Sequence, residues 1–128
     1  MANTFKVVNF AAEPNASGTP YVMYTAPSAT TTTTVVLGLI LSNIHTSQVT
    51  ATVRLVSDTA ARGGALSSGS NTVANGTSII IKDAPIPVGS SLELMAGNKV
   101  VLESTDQITI DCSVADKLSG TLSIMEIT

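Results

Sequence analysis

Apolar and polar residues alternate along much of this chain with a period of two. Within residues 48–56, Val49, Ala51, Val53 and Leu55 fall on one face and Thr50, Thr52 and Arg54 on the other. That is the pattern of a strand with one buried face. Residues 107–113 repeat it, with Ile108, Ile110 and Cys112 facing inward. Residues 32–44 begin polar and then run Val35-Val36-Leu37-Gly38-Leu39-Ile40-Leu41 almost without alternation. Such a run predicts a strand covered on both faces, or one carrying a bulge at Gly38. Further strands are expected at residues 4–10, 21–25, 77–82, 91–95, 99–103 and 121–127. In the last of these Leu122 and Ile124 point one way, Met125 and Ile127 the other. Either a bulge shifts its phase or its outer face meets a partner.

Turn-forming residues separate the runs: Pro14-Asn15, Gly18-Thr19-Pro20, Ala26-Pro27-Ser28, Ser42-Asn43, Pro87-Val88-Gly89, Gly97-Asn98 and Ser104-Thr105-Asp106. Helix signals are nearly absent. Eight or nine short strands punctuated in this way predict one all-β domain over residues 1–128, an antiparallel β-sandwich or jelly roll. Residues 57–78 break the rhythm with Asp58-Thr59-Ala60-Ala61-Arg62-Gly63-Gly64 and Ser67-Ser68-Gly69-Ser70-Asn71. A loop longer than about 15 residues is uncommon in a compact domain, and its Gly and Ser content gives it little reason to fold alone. Two readings stand: a loose connection between sheets, or an arm that orders against a neighbouring subunit.

Composition narrows the function more than the fold. The 128 residues are 44% hydrophobic and only 12% charged, with a net charge of −3, one His, one Cys and no Trp. A typical domain is about 25% charged. Multi-His centres, two-Cys zinc sites and disulfide frameworks cannot be assembled within one copy. Scattered bases give no surface for tracking phosphates. The first ten residues lack the basic start and continuous apolar stretch of a signal peptide, and residues 35–41 fall far short of the roughly 20 that a membrane helix needs. A soluble, unprocessed chain made in the cytoplasm is expected, with no membrane and no nucleic acid among its partners.

The candidate chemistry is thin. His45 lies in Asn43-Ile44-His45-Thr46-Ser47, which reads as a solvated hairpin turn. Asp106 and Asp111, five apart on one expected strand, should point to opposite faces, and Asp111 and Asp116 straddle a turn with no partner to tune them. No acid–base pair, calcium loop or phosphate-cradling motif emerges. Cys112 is expected to be a small core residue and not a reactive thiol. Phe5 and Phe10 flank Lys6 but fall on opposite faces of their strand, a weak signal for base stacking. The sequons Asn15-Ala16-Ser17 and Asn75-Gly76-Thr77 matter only in a secreted chain. The chain is read as non-enzymatic, without metal or cofactor.

The Thr30–Thr34 run favours extended structure and leads into the longest apolar strand. It is expected to be a solvated lead-in or, with so few charges to block pairing, an edge for another subunit. The order of the pieces is suggestive: Gly18-Thr19-Pro20-Tyr21-Val22-Met23-Tyr24-Thr25-Ala26-Pro27, the Thr-rich run, the apolar strand into Leu41-Ser42-Asn43, the alternating 49–55 strand, Lys82-Asp83-Ala84-Pro85-Ile86-Pro87-Val88-Gly89-Ser90-Ser91-Leu92, Lys99-Val100-Val101-Leu102-Glu103-Ser104-Thr105-Asp106-Gln107-Ile108, and Glu126-Ile127 near the end. In that order, over residues about 18–128 apart from 57–78, the chain resembles the small β-sandwich virion proteins of tailed bacteriophages. The resemblance implies a structural role in the particle, in symmetric copies, as a capsid decoration or cement protein or at the neck. Other copies and other virion proteins would be its partners. A tail or fibre module that binds a receptor or carbohydrate, with Tyr21 and Tyr24 as platforms, is the alternative, and a secreted adhesin subunit a third. The expected subunit contacts are Phe5, Phe10, Arg62, Leu66, Met125 and Ile127.

Overall fold

A computed structural model describes residues 2–57, 76–95 and 99–128. Its nine strands are β1 (Asn3–Glu13), β2 (Tyr21–Thr25), β3 (Thr33–Asn43), β4 (Val49–Val56), β5 (Thr77–Ile86), β6 (Ser91–Leu94), β7 (Val100–Leu102), β8 (Gln107–Cys112) and β9 (Leu118–Ile127). Two antiparallel sheets form a sandwich. One has the order β1-β9-β3-β6, with β7 following β6 along the same side of β3. The other has the order β2-β8-β4-β5.

This order has a simple physical origin. The pairs β4–β5, β3–β6 and β3–β7, β2–β8 and β1–β9 are nested, like the rungs of one long hairpin. Rolling that ribbon adds the β3–β9 and β4–β8 pairs and closes it into a jelly roll. The segment joining β4 to β5 is the tip of the ribbon, and the Ser57 N–H donates to the Gly76 carbonyl at its base (2.6 Å). Residues 58–75, on which the arm reading and the contacts Arg62 and Leu66 fall, lie outside the described residues.

The core is aliphatic. Val49, Ala51 and Val53 of β4 and Ile108, Ile110 and Cys112 of β8 face Val36, Leu39 and Leu41 of β3 and Leu118, Leu122 and Ile124 of β9, all of them buried. Burying each of the larger side chains is worth about 1.5–3 kcal/mol. Cys112 is a free thiol sealed in this core. Both unresolved strand patterns now have an explanation. The pairing of β3 with β9 slips between Val36 and Gly38, so the bulge expected at Gly38 turns both Val36 and Leu39 inward. β9 keeps one phase along its length, and Met125 and Ile127 simply face outward.

Three strands outrun their expected limits. β5 continues through Pro85 because it is an edge strand, where a missing N–H costs no ladder bond. Asp83 takes φ 49° at a register shift there, and its N–H is taken by the Thr52 hydroxyl at 3.0 Å. β1 and β9 extend each other past a shift between Phe10 and Glu13. The Thr run is only partly the solvated lead-in expected. Thr30 and Thr31 are exposed, but Thr32 and Thr34 are buried.

Candidate assembly surface

Residues paired directly across antiparallel strands project from the same face of a sheet. On the β1-β9-β3 sheet, Phe5 pairs with Met125, Met125 with Val35, and Val35 with Val101 of β7. These four make an unbroken apolar row across four strands on the outer face. Phe5 is 71% exposed and Val101 55%. Val35 and Met125 are half-buried but stand outside the core cluster. Val7, Ile127 and Ile40 lie on the same face in the flanking rows, and Leu37 sits half-buried at the bulge. Glu93 is the one charged side chain among the described residues paired into this face.

The bulge also shapes the face. Gly38 carries no side chain, and a Cβ built there meets nothing within 4 Å. The result is an open hollow of about 180 Å³ lined by Gly38, Leu39, Ile40, Glu93, Leu94, Thr121 and Ser123. A second hollow, lined by Asn9, Phe10, Ala11, Ser119, Gly120 and Thr121, is more polar at its surface.

The opposite outer face has a different chemistry. Thr52 pairs with Asp111, and Thr109 pairs with Val22 and Arg54. The Arg54 guanidinium donates to the Asp111 carboxylate, and the Thr52 hydroxyl exchanges hydrogen bonds with Asp83. Asp111 therefore has the partner that its sequence neighbours did not offer, because Arg54 comes from the adjacent strand β4. Asp106 precedes β8 and is not on the strand with Asp111. It is 1% exposed and ties its turn together, its Oδ2 accepting from the Glu103 N–H at 2.9 Å and the Ser57 hydroxyl at 3.2 Å. Asp116 is exposed, on a residue with φ 58°. The backbone N–H of His45 donates to Asn43 Oδ1 at 2.7 Å, so the turn is built by Asn43 and leaves the imidazole out.

A polar plug closes one end of the sandwich. Glu126 is buried, its Oε1 2.7 Å from Lys6 Nζ and its Oε2 accepting from the Tyr24 hydroxyl at 2.8 Å. Thr34 Oγ1 lies 3.1 Å from the same hydroxyl. Lys6 and then Tyr24 hold the Glu126 carboxyl below its ordinary range. Burial pushes Tyr24 up to about 12, with Thr34 opposing the shift and Glu126 adding to it. Lys6 and Tyr24 both converge on the one Glu126 carboxylate, which suits a structural tie better than a reaction.

Of the expected contacts, the structure brings Phe5, Met125 and Ile127 together on one face. Phe10 is placed elsewhere. Its ring lies edge-on to Tyr21, with centroids 5.3 Å apart, and packs on the core above Gly120. A Cβ at position 120 would fall 2.5 Å from that ring, so the glycine makes room for it. Val7, Val35, Leu37, Ile40 and Val101 were not singled out from the sequence. The signal for three of them was the loss of alternation in residues 35–41, whose surplus apolar residues had to face somewhere. Among the described residues no group of three or more His, Cys, Asp and Glu could hold a metal ion.

No family model matches the chain, and no curated protein matches it. Among solved structures, it is similar to a chain from the Bacillus endospore appendages that form a novel family of disulfide-linked pili, with 16% identity and a TM-score of 0.45 over 99% of this chain and 87% of that one. A likeness at that level says nothing of what this chain does.

Proposed function

We propose that this protein is a non-enzymatic structural subunit of a tailed-phage particle, present in symmetric copies and stabilising the shell or neck as a decoration, cement or accessory protein. The observation that carries the reading is the apolar row Phe5–Met125–Val35–Val101, laid across the outer face of a sandwich whose other outer face is polar. An exposed apolar row on an otherwise weakly charged face is the kind of surface that a protein partner covers. Few charges must be stripped of water when such a face is covered, and symmetric repetition multiplies a modest contact. The polar plug and the ion pair are used up in holding the fold. The fibre or receptor reading gains nothing from the tyrosines, since Tyr21 and Tyr24 both pack on the core and the Tyr24 hydroxyl is engaged by Glu126. Staged disassembly of purified particles, with quantitative mass spectrometry of each fraction, tests the proposal. The protein should leave with the shell or neck components, in a copy number matching their symmetry. Its absence from purified particles would sink the reading.

A further inference from the structure

We infer that two copies of this chain pair back to back through the β1-β9-β3 sheet, each inserting Phe5 into the Gly38 hollow of the other. The inference rests on the same face as the functional reading and names its first occupant. A two-fold interface requires a surface that complements itself. This face carries both halves of such a fit. Phe5 projects from β1, a strand at the edge of its sheet whose residues 3–7 are exposed. The hollow lies two strands away, at the bulge of β3, with Ser123 opposite Gly38 and Val7 opposite Ser123. By strand spacing and rise, knob and hollow are about 12 Å apart. A two-fold axis lying in the plane of the face and bisecting that line sets each ring over the other copy's hollow.

Size agrees. The hollow is an open depression of about 180 Å³ at Gly38, bordered by Ile40 on its apolar side and by Glu93, Thr121 and Ser123 on the others, so a phenyl ring laid over Gly38 meets no side chain there. The second hollow, lined by Asn9, Phe10, Ala11, Ser119, Gly120 and Thr121, is more polar at its surface. Four strands over about ten residues give a face of roughly 600 Å² per copy, so the pair would bury roughly 1,200 Å² in all, at the lower end of stable interfaces. The partner therefore needs nothing that this chain does not itself carry.

Sedimentation equilibrium of the full chain tests this. The wild type should dimerise reversibly, and Phe5→Ser and Gly38→Leu should each weaken the dimer at least tenfold. Neither change touches the core: Phe5 is exposed, and a side chain at Gly38 enters open space. A Phe5→Cys/Thr121→Cys double variant, oxidised at a concentration high enough to populate the dimer that loss of the ring weakens, should form a covalent dimer, while each single variant should not. A monomer at all concentrations, a dimer indifferent to both substitutions, or equal cross-linking by Phe5→Cys alone would overturn the inference. A monomeric chain still found in particles would overturn the pairing and leave the particle role standing. A dimer absent from particles would do the reverse.

Discussion

The two outer faces of the sandwich are built from the same kind of alternating strand and differ in what their outward positions do. On the β2-β8-β4 face, Arg54 answers Asp111 and Thr52 answers Asp83, and apolar residues such as Val22 and Ile79 keep to the rim. On the β1-β9-β3 face the outward positions include Phe5, Val7, Val35, Ile40, Val101, Met125 and Ile127, and among the described residues none of these belongs to the core cluster. The inner faces are alike, because burial selects aliphatic residues on both. The contrast outside cannot come from folding, which is indifferent to most surface residues. It teaches where to look for a partner.

The largest effect should come from breaking the polar face. Arg54→Met leaves the Asp111 carboxylate mostly buried with its cation gone, and such a loss costs about 2–3 kcal/mol for a pair that is partly shielded from water. Arg54→Met/Asp111→Leu should recover most of that stability, since an apolar pair of similar volume is often no worse than an ion pair. The double variant also makes this face resemble the other one. It should therefore keep its fold in urea unfolding yet associate more strongly than the wild type.

The polar plug links stability to pH at both ends of the scale. Glu126 titrates below its ordinary 4.5 when folded, so its contribution is complete above that value and disappears as the pH falls through the folded pKa. Tyr24 moves the other way. Its pKa rises from 10.0 to about 12 on folding, so its contribution is complete below pH 10 and disappears between 10 and 12. Unfolding curves recorded against pH should show both declines, and Tyr24→Phe should remove the alkaline one. An alkaline decline unchanged in that variant would assign it to the lysines instead.

How much of this could be read from the chain depends on whether the signal was local. The strands of residues 49–56 and 107–112 were legible because one buried face imposes a period of two. The bulge at Gly38 was legible as a failure of that period. The Arg54–Asp111 pair was not, because the residues are 57 apart and meet only through the β4–β8 register. Phe10 misled for a similar reason. A lone aromatic between Asn9 and Ala11 belongs to no strong apolar run, and nothing nearby reveals that Gly120 leaves a place for its ring. Single members of the row Phe5–Met125–Val35–Val101 left local traces, but their alignment draws on four strands and had no linear signature.

A smaller effect, of opposite sign, should come from Thr109→Val. Thr109 is buried in the middle of the polar face, and its hydroxyl has no hydrogen-bond partner among the described residues. Valine keeps the β-branched shape and removes an oxygen that was desolvated without compensation, so the variant should be about 1 kcal/mol more stable. A loss of stability would mean that the hydroxyl is in fact bonded, and the polar face more completely satisfied than its described residues indicate.

The smallest effect on folding should be the most informative about the apolar face. Met125 sits at the centre of the row, between Phe5 and Val35, and touches no part of the core cluster. Met125→Lys places a charge there, where the long stem still covers its neighbours and the ammonium reaches water. Urea unfolding should move by no more than about 0.5 kcal/mol, as for other surface changes. Binding of an apolar dye and self-association should both fall, because any partner that covers the row must now bury an uncompensated charge. If stability fell by several kcal/mol instead, Met125 would be part of the core, and the two faces would differ in packing and not in purpose.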